Sequence, residues 1–598
     1  MTLSTRPERV VDVECFRNWF NIGFTDVATR THLDLAYPLD AARVRQVLAE
    51  SCIITFNGWN YDVPMIVAAL AGHPPETLKQ MSDAIIQRGL RPWQFYEHFN
   101  LPDPGPIDHV DLIEVAPGIA SLKAYGGRLH SKQLQDLPFP HDHWLSIADV
   151  GRGTLYCRND RITTIDLLES LRPQLELRVR VGAEYGLDLR SKSDAQMAES
   201  IMRQAAGGYV ERPQYPPGTE VHYHAPDWIR FQTPGLQRAL DIAQGSPFVV
   251  AQSETTDGEL VVSLQMHERL STMQVVIRRN AYRMGMGGLH SSESCVVQRA
   301  DADHELSDHD VASYYPRLIQ ILGIEPPQLR GVFTRTFNEW VARRLAAKHA
   351  GDGVTAQVFK ILVNGTFGKL GSRWSVMYHP ESMVRVTLTG QLALLMLIER
   401  LELAGIAVVS ANTDGIVIRC PVVLRAQRDA ILQQWCVETG LETEGTQYAA
   451  LWSRDVNNYI AVKPDGKVKT KGAYATDGLA KNPNALVATD AAIAFVARGV
   501  PIETTIAGCT DVTRFVVTRK VADGAVWNGQ ALGKNIRWYY SATQSGAITY
   551  AESGRTVPDS EGAQPCMILP DGLPADIDRQ WYVRRAASIL RDIGHTSA

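Results

Sequence analysis

"NTDGIVIRC", residues 412–420, reads as a short buried strand carrying one carboxylate, Asp414, where hydrophobic residues are expected. What that carboxylate is for decides how the chain is understood. Two stretches upstream carry a charged residue followed by others at definite spacings. "SDHDVASYYPRLI" sets Ser313, Tyr315 and Pro316 at +3, +5 and +6 from Asp310, and "KILVNGTFGKLG" sets Asn364, Phe367 and Gly368 at +4, +7 and +8 from Lys360.

A chain of 598 residues is too long for one ordinary core and predicts three or more structural units. With 45% hydrophobic and 21% charged residues it reads as soluble and globular. No run of about 18 apolar residues suggests a membrane span, and the N-terminus lacks the basic-then-apolar pattern of a signal peptide, so a cytoplasmic setting without a membrane is expected. Eight cysteines are scattered with no CxxC pair, which points to reduced thiols rather than disulfides or zinc. The formal charge of -5 does not by itself suggest a nucleic-acid partner. Its distribution does: between Pro326 and Pro380 eight basic residues (Arg330, Arg335, Arg343, Arg344, Lys348, Lys360, Lys369, Arg373) face two acidic ones (Glu339, Asp352), a local excess suited to phosphates.

The fold class expected is α/β and α+β multidomain. The first 185 residues alternate strand-like "RVVDVE" and "SCIITF" with helix-like "DAARVRQVLAE" and "DRITTIDLLESL", which favours a sheet flanked by helices. A Pro-rich interval, "ERPQYPPG", follows, and then a β-like region with "PFVVAQ", "ELVVSLQM" and "MQVVIRR". "FNEWVARRLAAKHA" and "TAQVFKILVNGTFGKL", joined by "GDGV", predict a helical hairpin. "NNYIAVKP" reads as a strand and "RQWYVRRAASILRDI" as an amphipathic C-terminal helix.

In "VVDVECF", Asp12 and Glu14 lie two apart on a strand and share a face, where two carboxylates repel unless a divalent cation sits between them. "FNGWNYDVPMI" adds Asn57 and Asp62, and "YCRNDRITTIDLL" puts Tyr156 and Asp160 four apart on one helical face. In order and spacing these resemble the Exo I, Exo II and Exo III motifs of the DEDDy 3'–5' exonucleases. The resemblance implies two metal ions about 3.5–4 Å apart held by Asp12, Glu14, Asp62 and Asp160. It also implies that Tyr156 orients the attacking water, and that Asn57 contacts DNA.

The stretches around Asp310, Lys360 and Asp414 resemble, in order, motifs A, B and C of family B DNA polymerases. "GMGGLHS", with Gly287 and Gly288, sits where that family keeps its YxGG motif, and "NNYIAV" and "KVKTKG" sit at its KxY and KG elements. The resemblance implies an RNase H-like exonuclease domain (1–185), a linker with the first part of a palm (186–325), fingers (326–370), a second part of the palm (371–475), and a thumb with the C-terminal segment (476–598). Asp310 and Asp414 would ligate two Mg2+ ions, for which Mn2+ can substitute. Lys360 would meet the incoming triphosphate, helped by one of Arg343, Arg344 or Lys348. Ser313, Asn364, Phe367 and Gly368 would complete the nucleotide site, with Tyr315 under the deoxyribose. Tyr459, Lys469, Lys471 and Gly472 would contact primer-template DNA.

The resemblance therefore implies a monomeric, proofreading, DNA-dependent DNA polymerase of bacteriophage type. Its partners would be primer-template DNA and dNTPs, with a phage helicase, primase or single-strand binding protein, in the host cytoplasm. Motif C has Asn412 for its first Asp and Gly415 for Ser, motif B has Gly365 and Phe367 for Ser and Tyr, and Asn457 replaces the KxY lysine. The short intervals between the three motifs leave no room for the large insertions of protein-primed replicases, so a nucleic-acid primer is expected. A primer-independent primase-polymerase and a DNA-binding factor with an inactive site are the alternatives. "FPHDHW" reads as an exposed loop rather than a metal site.

Overall fold

A computed structural model describes residues 3–254, 260–476 and 478–595. The chain divides into two compact units: Met1–Ser193 with Thr476–Ala488 and Glu503–Val583, and Asp194–Ala475 with Thr489–Ile502 and Arg584–Ala598.

The first unit is built on a five-stranded sheet whose centre is β1 (Glu8–Phe16). Across the sheet the order is His32–Ala36, Trp19–Asp26, β1, Cys52–Thr55, His109–Asp111. The second of these runs antiparallel to its neighbours, and the last two run parallel to β1. Alternation along β1 sends Val11 and Val13 into the core with Phe20, Ile22 and Met65, leaving Asp12 and Glu14 on the opposite face. Two helices cover that face and a third, packed on the opposite one, brings its first residue to the same acids. The third is α1 (Asp62–Leu70); the two are α2 (Leu122–Arg128) and the 39-residue α3 (Ile147–Tyr185), which starts at a Ser146–Asp149 capping box. The later residues of this unit add a sheet ordered Thr549–Tyr550, Val517–Trp527, Gln530–Tyr540, Ala563–Pro565. It is fastened by the buried Arg537, which donates to the carbonyls of Ser131 (2.9 Å) and Cys566 (3.0 Å).

In the second unit a seven-stranded antiparallel sheet has at its heart β2 (His304–Val311), β3 (Ala407–Asn412) and β4 (Gly415–Pro421). The "NTDGIVIRC" stretch is thus not one strand. It is the turn and second strand of a hairpin, with Asn412 paired to Gly415 and Thr413-Asp414 at the tip. Thr413 takes φ 56°, the left-handed conformation that two-residue hairpin turns need. The carboxylate consequently stands at a strand end.

The expected helical hairpin is present as α4 (Val332–His349) and α5 (Gly353–Leu370), with Asp352 capping α5 through the Thr355 N–H at 3.0 Å. Behind the sheet runs Pro380–Leu403, long and apolar enough to cross a membrane by composition. Of its most apolar 18-residue window, 83% is buried inside the protein, as in a core helix. A smaller sheet contains β5 (Ala450–Asp455), β6 (Asn458–Val462) and β7 (Val468–Lys471).

Candidate functional site

Two polar clusters stand out, one in each unit. In the first, Asp12 and Glu14 on β1, Asp62 at the first position of α1 and Asp160 on α3 bear on one another electrostatically. Asp62 Oδ1 accepts the Val13 N–H at 2.9 Å, so strand and helix are tied at the point where their carboxylates meet. Burial and the proximity of Asp160 push Asp12 up to about 7, and burial with neighbouring carboxylates pushes Glu14 and Asp62 well above the usual range. Asp12 Oδ2 is buried with no hydrogen-bond partner. An orphaned carboxylate oxygen amid three further acids is the environment that a hard divalent cation satisfies, so the residues present fit such an ion.

Tyr156, one turn before Asp160, joins this cluster, and burial raises its phenol well above its ordinary range. Lys123 on α2 was not singled out from the sequence. Its ammonium lies 2.9 Å from Asp160 Oδ2, hydrogen-bonds the Tyr156 hydroxyl and, with the buried Arg161, is a nearby counter-charge to the acids. Cys157 was also missed: its thiol and the carboxylates of Asp12 and Glu14 lie within 4.8 Å of one another. Asn57 sits before α1 at φ 67°. Its loop is held by the buried Asp111, which accepts from the N–H groups of Asn57 (2.7 Å) and Trp59 (3.0 Å).

In the second unit, a cavity of about 260 Å³ is lined by Val311, Ser313, Tyr314, Tyr315, Pro316, Arg344, Lys360, Asn364, Phe367 and Asp414. Side chains singled out from three distant stretches converge on it. Lys360, Asn364 and Phe367 project from one face of α5, and Phe367 stacks on Tyr315 with ring centroids 4.2 Å apart. The Tyr315 hydroxyl donates to the Gly287 carbonyl at 2.6 Å, which brings the GMGG segment to the same place. Of the three candidate basic residues on α4, Arg344 lines the cavity and donates to Ser313 Oγ at 2.6 Å. Arg343 lies over the Phe359 ring, and Lys348 reaches Glu444 at 3.3 Å.

Asp310 lies beside the cavity, opposite Gly415 in the β2–β4 ladder. Burial raises its pKa, and Asp308 and Asp414 add to the effect while Lys469 opposes it. Asp414 is likewise raised by burial and pulled down by Lys471 and Lys469. Lys469 is 3.0 Å from the buried Asp308 and 3.6 Å from Asp310, and Tyr448 donates to Asp308 at 2.5 Å. Asp308 was missed, although "DHD" repeats the two-residue strand spacing that exposed Asp12 and Glu14. Lys471 pairs in register with Tyr459 across β6 and β7.

The sequence departures have local structural causes. A Cβ at 415 would be driven into Asp310 Oδ1, and one at 365 would meet the Asp194 carbonyl where α5 packs on the helix Asp194–Ala205. Gly288 lies against Thr413, and Gly472, at φ 65°, lies against the Asn457 carbonyl. A Cβ at Gly368 would point into open space. In "FPHDHW", His143 stacks on Phe139 with centroids 5.2 Å apart and approaches Asp149 at 3.4 Å, a contact at the start of α3.

No protein-family model and no curated protein matches the chain. Among solved structures, the family B DNA polymerase of the hyperthermophilic archaeon Pyrobaculum calidifontis is similar over 100% of this chain and 79% of its own, at 11% identity and a TM-score of 0.39.

Proposed function

We propose that this chain is a DNA-dependent DNA polymerase of the family B type that carries its own 3'–5' proofreading exonuclease and extends a nucleic-acid primer. The observation that carries the reading is the cavity of the second unit, on which Ser313, Tyr315, Arg344, Lys360, Asn364, Phe367 and Asp414 converge.

Asp310 and Asp414 would hold two divalent cations, with Mg2+ the natural choice for an all-oxygen site. When bound, such ions supply the charge that activates an attacking oxygen and stabilises a leaving one. Lys360 and Arg344 face the cavity from two helices and would bind the triphosphate, offsetting charge that develops on it. Tyr315, fixed between Phe367 and the Gly287 carbonyl, would form the floor under the sugar and crowd a 2'-hydroxyl. Lys469 and Lys471 on β7 would face the primer-template side, Lys469 while also held by Asp308.

In the first unit, Asp12, Glu14, Asp62 and Asp160 would hold the ions of the exonuclease, with Tyr156 positioning the water. The strand order of its sheet, one strand antiparallel to four that run the same way, supports an RNase H-like reading. The short intervals between the three polymerase stretches support a nucleic-acid primer over a protein one. A phage source, with a helicase or single-strand binding protein as partner, belongs to the same proposal.

The test is extension of a labelled primer on a DNA template with Mg2+ and dNTPs. Wild-type protein is expected to lengthen the primer and Asp414→Ala to lose at least about a thousandfold, the scale of removing a principal electrostatic element. A wild-type protein that never lengthens a primer, with Mg2+ or Mn2+, refutes the reading.

A further inference from the structure

We infer that Asn412 is a positioning residue: its amide latches the Asp414 turn to the β5–β6 turn, and a carboxylate at 412 would break this latch rather than improve the metal site. The inference rests on the polymerase reading above.

Two departures from the family pattern, Asn412 for Asp and Asn457 for Lys, are 45 residues apart in sequence and touch in the structure. Asn412 Nδ2 donates to the Val456 carbonyl at 2.9 Å and to Asn457 Oδ1 at 3.3 Å. A backbone carbonyl only accepts, so the group facing it must be the NH2 and the side-chain orientation is fixed by its partner. Asn412 Oδ1 in turn accepts from Thr413 Oγ1 at 3.1 Å, one residue before Asp414.

The turn that receives the latch is itself held. Asp455 accepts from the Asn457 N–H at 2.9 Å and from Asn458 Nδ2 at 2.7 Å, and Asn458 Oδ1 accepts the Ala473 N–H at 2.6 Å. Gly472 fits against the same turn, and Lys471 beside it acts electrostatically on Asp414. A continuous set of hydrogen bonds therefore runs from the Asp414 turn through Asn412 and the β5–β6 turn to the backbone beside Lys471.

An aspartate at 412 has no donor. Its oxygens would face the Val456 carbonyl at hydrogen-bond distance, which loses the bond and adds repulsion between acceptors. A lysine at 457 would supply the missing donor and a compensating charge. The two asparagines thus act as a neutral exchange for an ion pair. Asn412 belongs to the support of the site, and Asp310 and Asp414 remain its ligands.

The experiment is steady-state single-nucleotide incorporation with Mg2+ by wild type, Asn412→Asp, Asn457→Lys and the double variant Asn412→Asp/Asn457→Lys. Primer trimming without dNTPs and thermal melting report folding of each protein. A shift of the Asp414 turn by a fraction of an ångström predicts a kcat about tenfold to a hundredfold lower for Asn412→Asp, with KM for the nucleotide changed less than about threefold. The double variant is predicted to recover to within about threefold of wild type by pairwise coupling. If Asn412→Asp instead matches or exceeds wild type, or lowers the Mg2+ requirement, Asn412 is a weakened ligand position and the inference is overturned. It is equally overturned if the double variant is no better than Asn412→Asp while trimming and melting are normal. If wild type trims but does not incorporate, the polymerase reading fails, and the inference falls with it.

Discussion

Replacing Lys123 by methionine keeps the length of the side chain and removes its charge from the carboxylate cluster of the first unit. The ammonium lies 2.9 Å from Asp160, and the two side chains are 20% and 12% exposed. At that distance and an effective dielectric constant of about 20, the attraction is about 6 kcal/mol before desolvation is subtracted. Removing one partner of a buried pair costs about 3–5 kcal/mol, so about 3 kcal/mol is expected for this partly exposed pair. For a unit of this size that is a fall in Tm of about 5 °C.

The pH dependence has a definite sign. Asp12 titrates near 7 in the fold and at about 4 when unfolded, and Glu14 and Asp62 are shifted in the same direction. The folded site keeps protons that the unfolded chain releases, so the stability they confer is complete below pH about 4 and is lost as pH rises toward 7. Lys123 offsets that loss. The Lys123→Met deficit should therefore be largest in EDTA at pH 7.5, shrink at pH 5, and shrink on adding Mg2+. Thermal melting under these three conditions tests it. Equal melting of the two proteins in EDTA at pH 7.5, or a deficit indifferent to both pH and Mg2+, refutes the reasoning.

Two further outcomes follow from the second unit. Arg344→Ala, which empties one wall of the second unit's cavity, should, on the proposed function, raise KM for the incoming nucleotide by about tenfold, the scale of one charge-assisted contact, whereas Arg343→Ala should change it less than about threefold; steady-state incorporation separates them. Gly415→Ser should displace the Asp310 carboxylate and lower the incorporation rate by about a hundredfold while leaving primer trimming unchanged, a pattern read by running both assays on one preparation.

Much of this was legible because it is local. Val-rich alternation marked β1 and its two outward acids, and the spacing of Lys360, Asn364 and Phe367 marked one face of α5. The Asp414 stretch was misread as a single strand because "GIVIRC" dominates its pattern, and the turn in front of it, Thr413-Asp414, lacks the Asn-Gly or Asp-Gly pair that usually marks one. Lys123 carried no signal, since its meaning comes from a contact 37 residues away on another helix. The Asn412–Asn457 contact was hidden for the same reason. Each asparagine alone looks like a loss, and only their contact shows what each does. Asp308 could have been found by applying to "DHD" the argument already applied to "DVE".

The central claim is that two separate metal-dependent sites act on one primer end, and the most direct measurement is a crossed comparison of Asp12→Ala and Asp414→Ala on the same labelled primer-template. With Mg2+ and dNTPs, Asp12→Ala should extend; without dNTPs it should leave the primer intact. Asp414→Ala should do the reverse, trimming in both conditions and never extending. A single substitution that abolishes both activities in a folded protein, or an Asp12→Ala variant that trims as fast as wild type, contradicts the account.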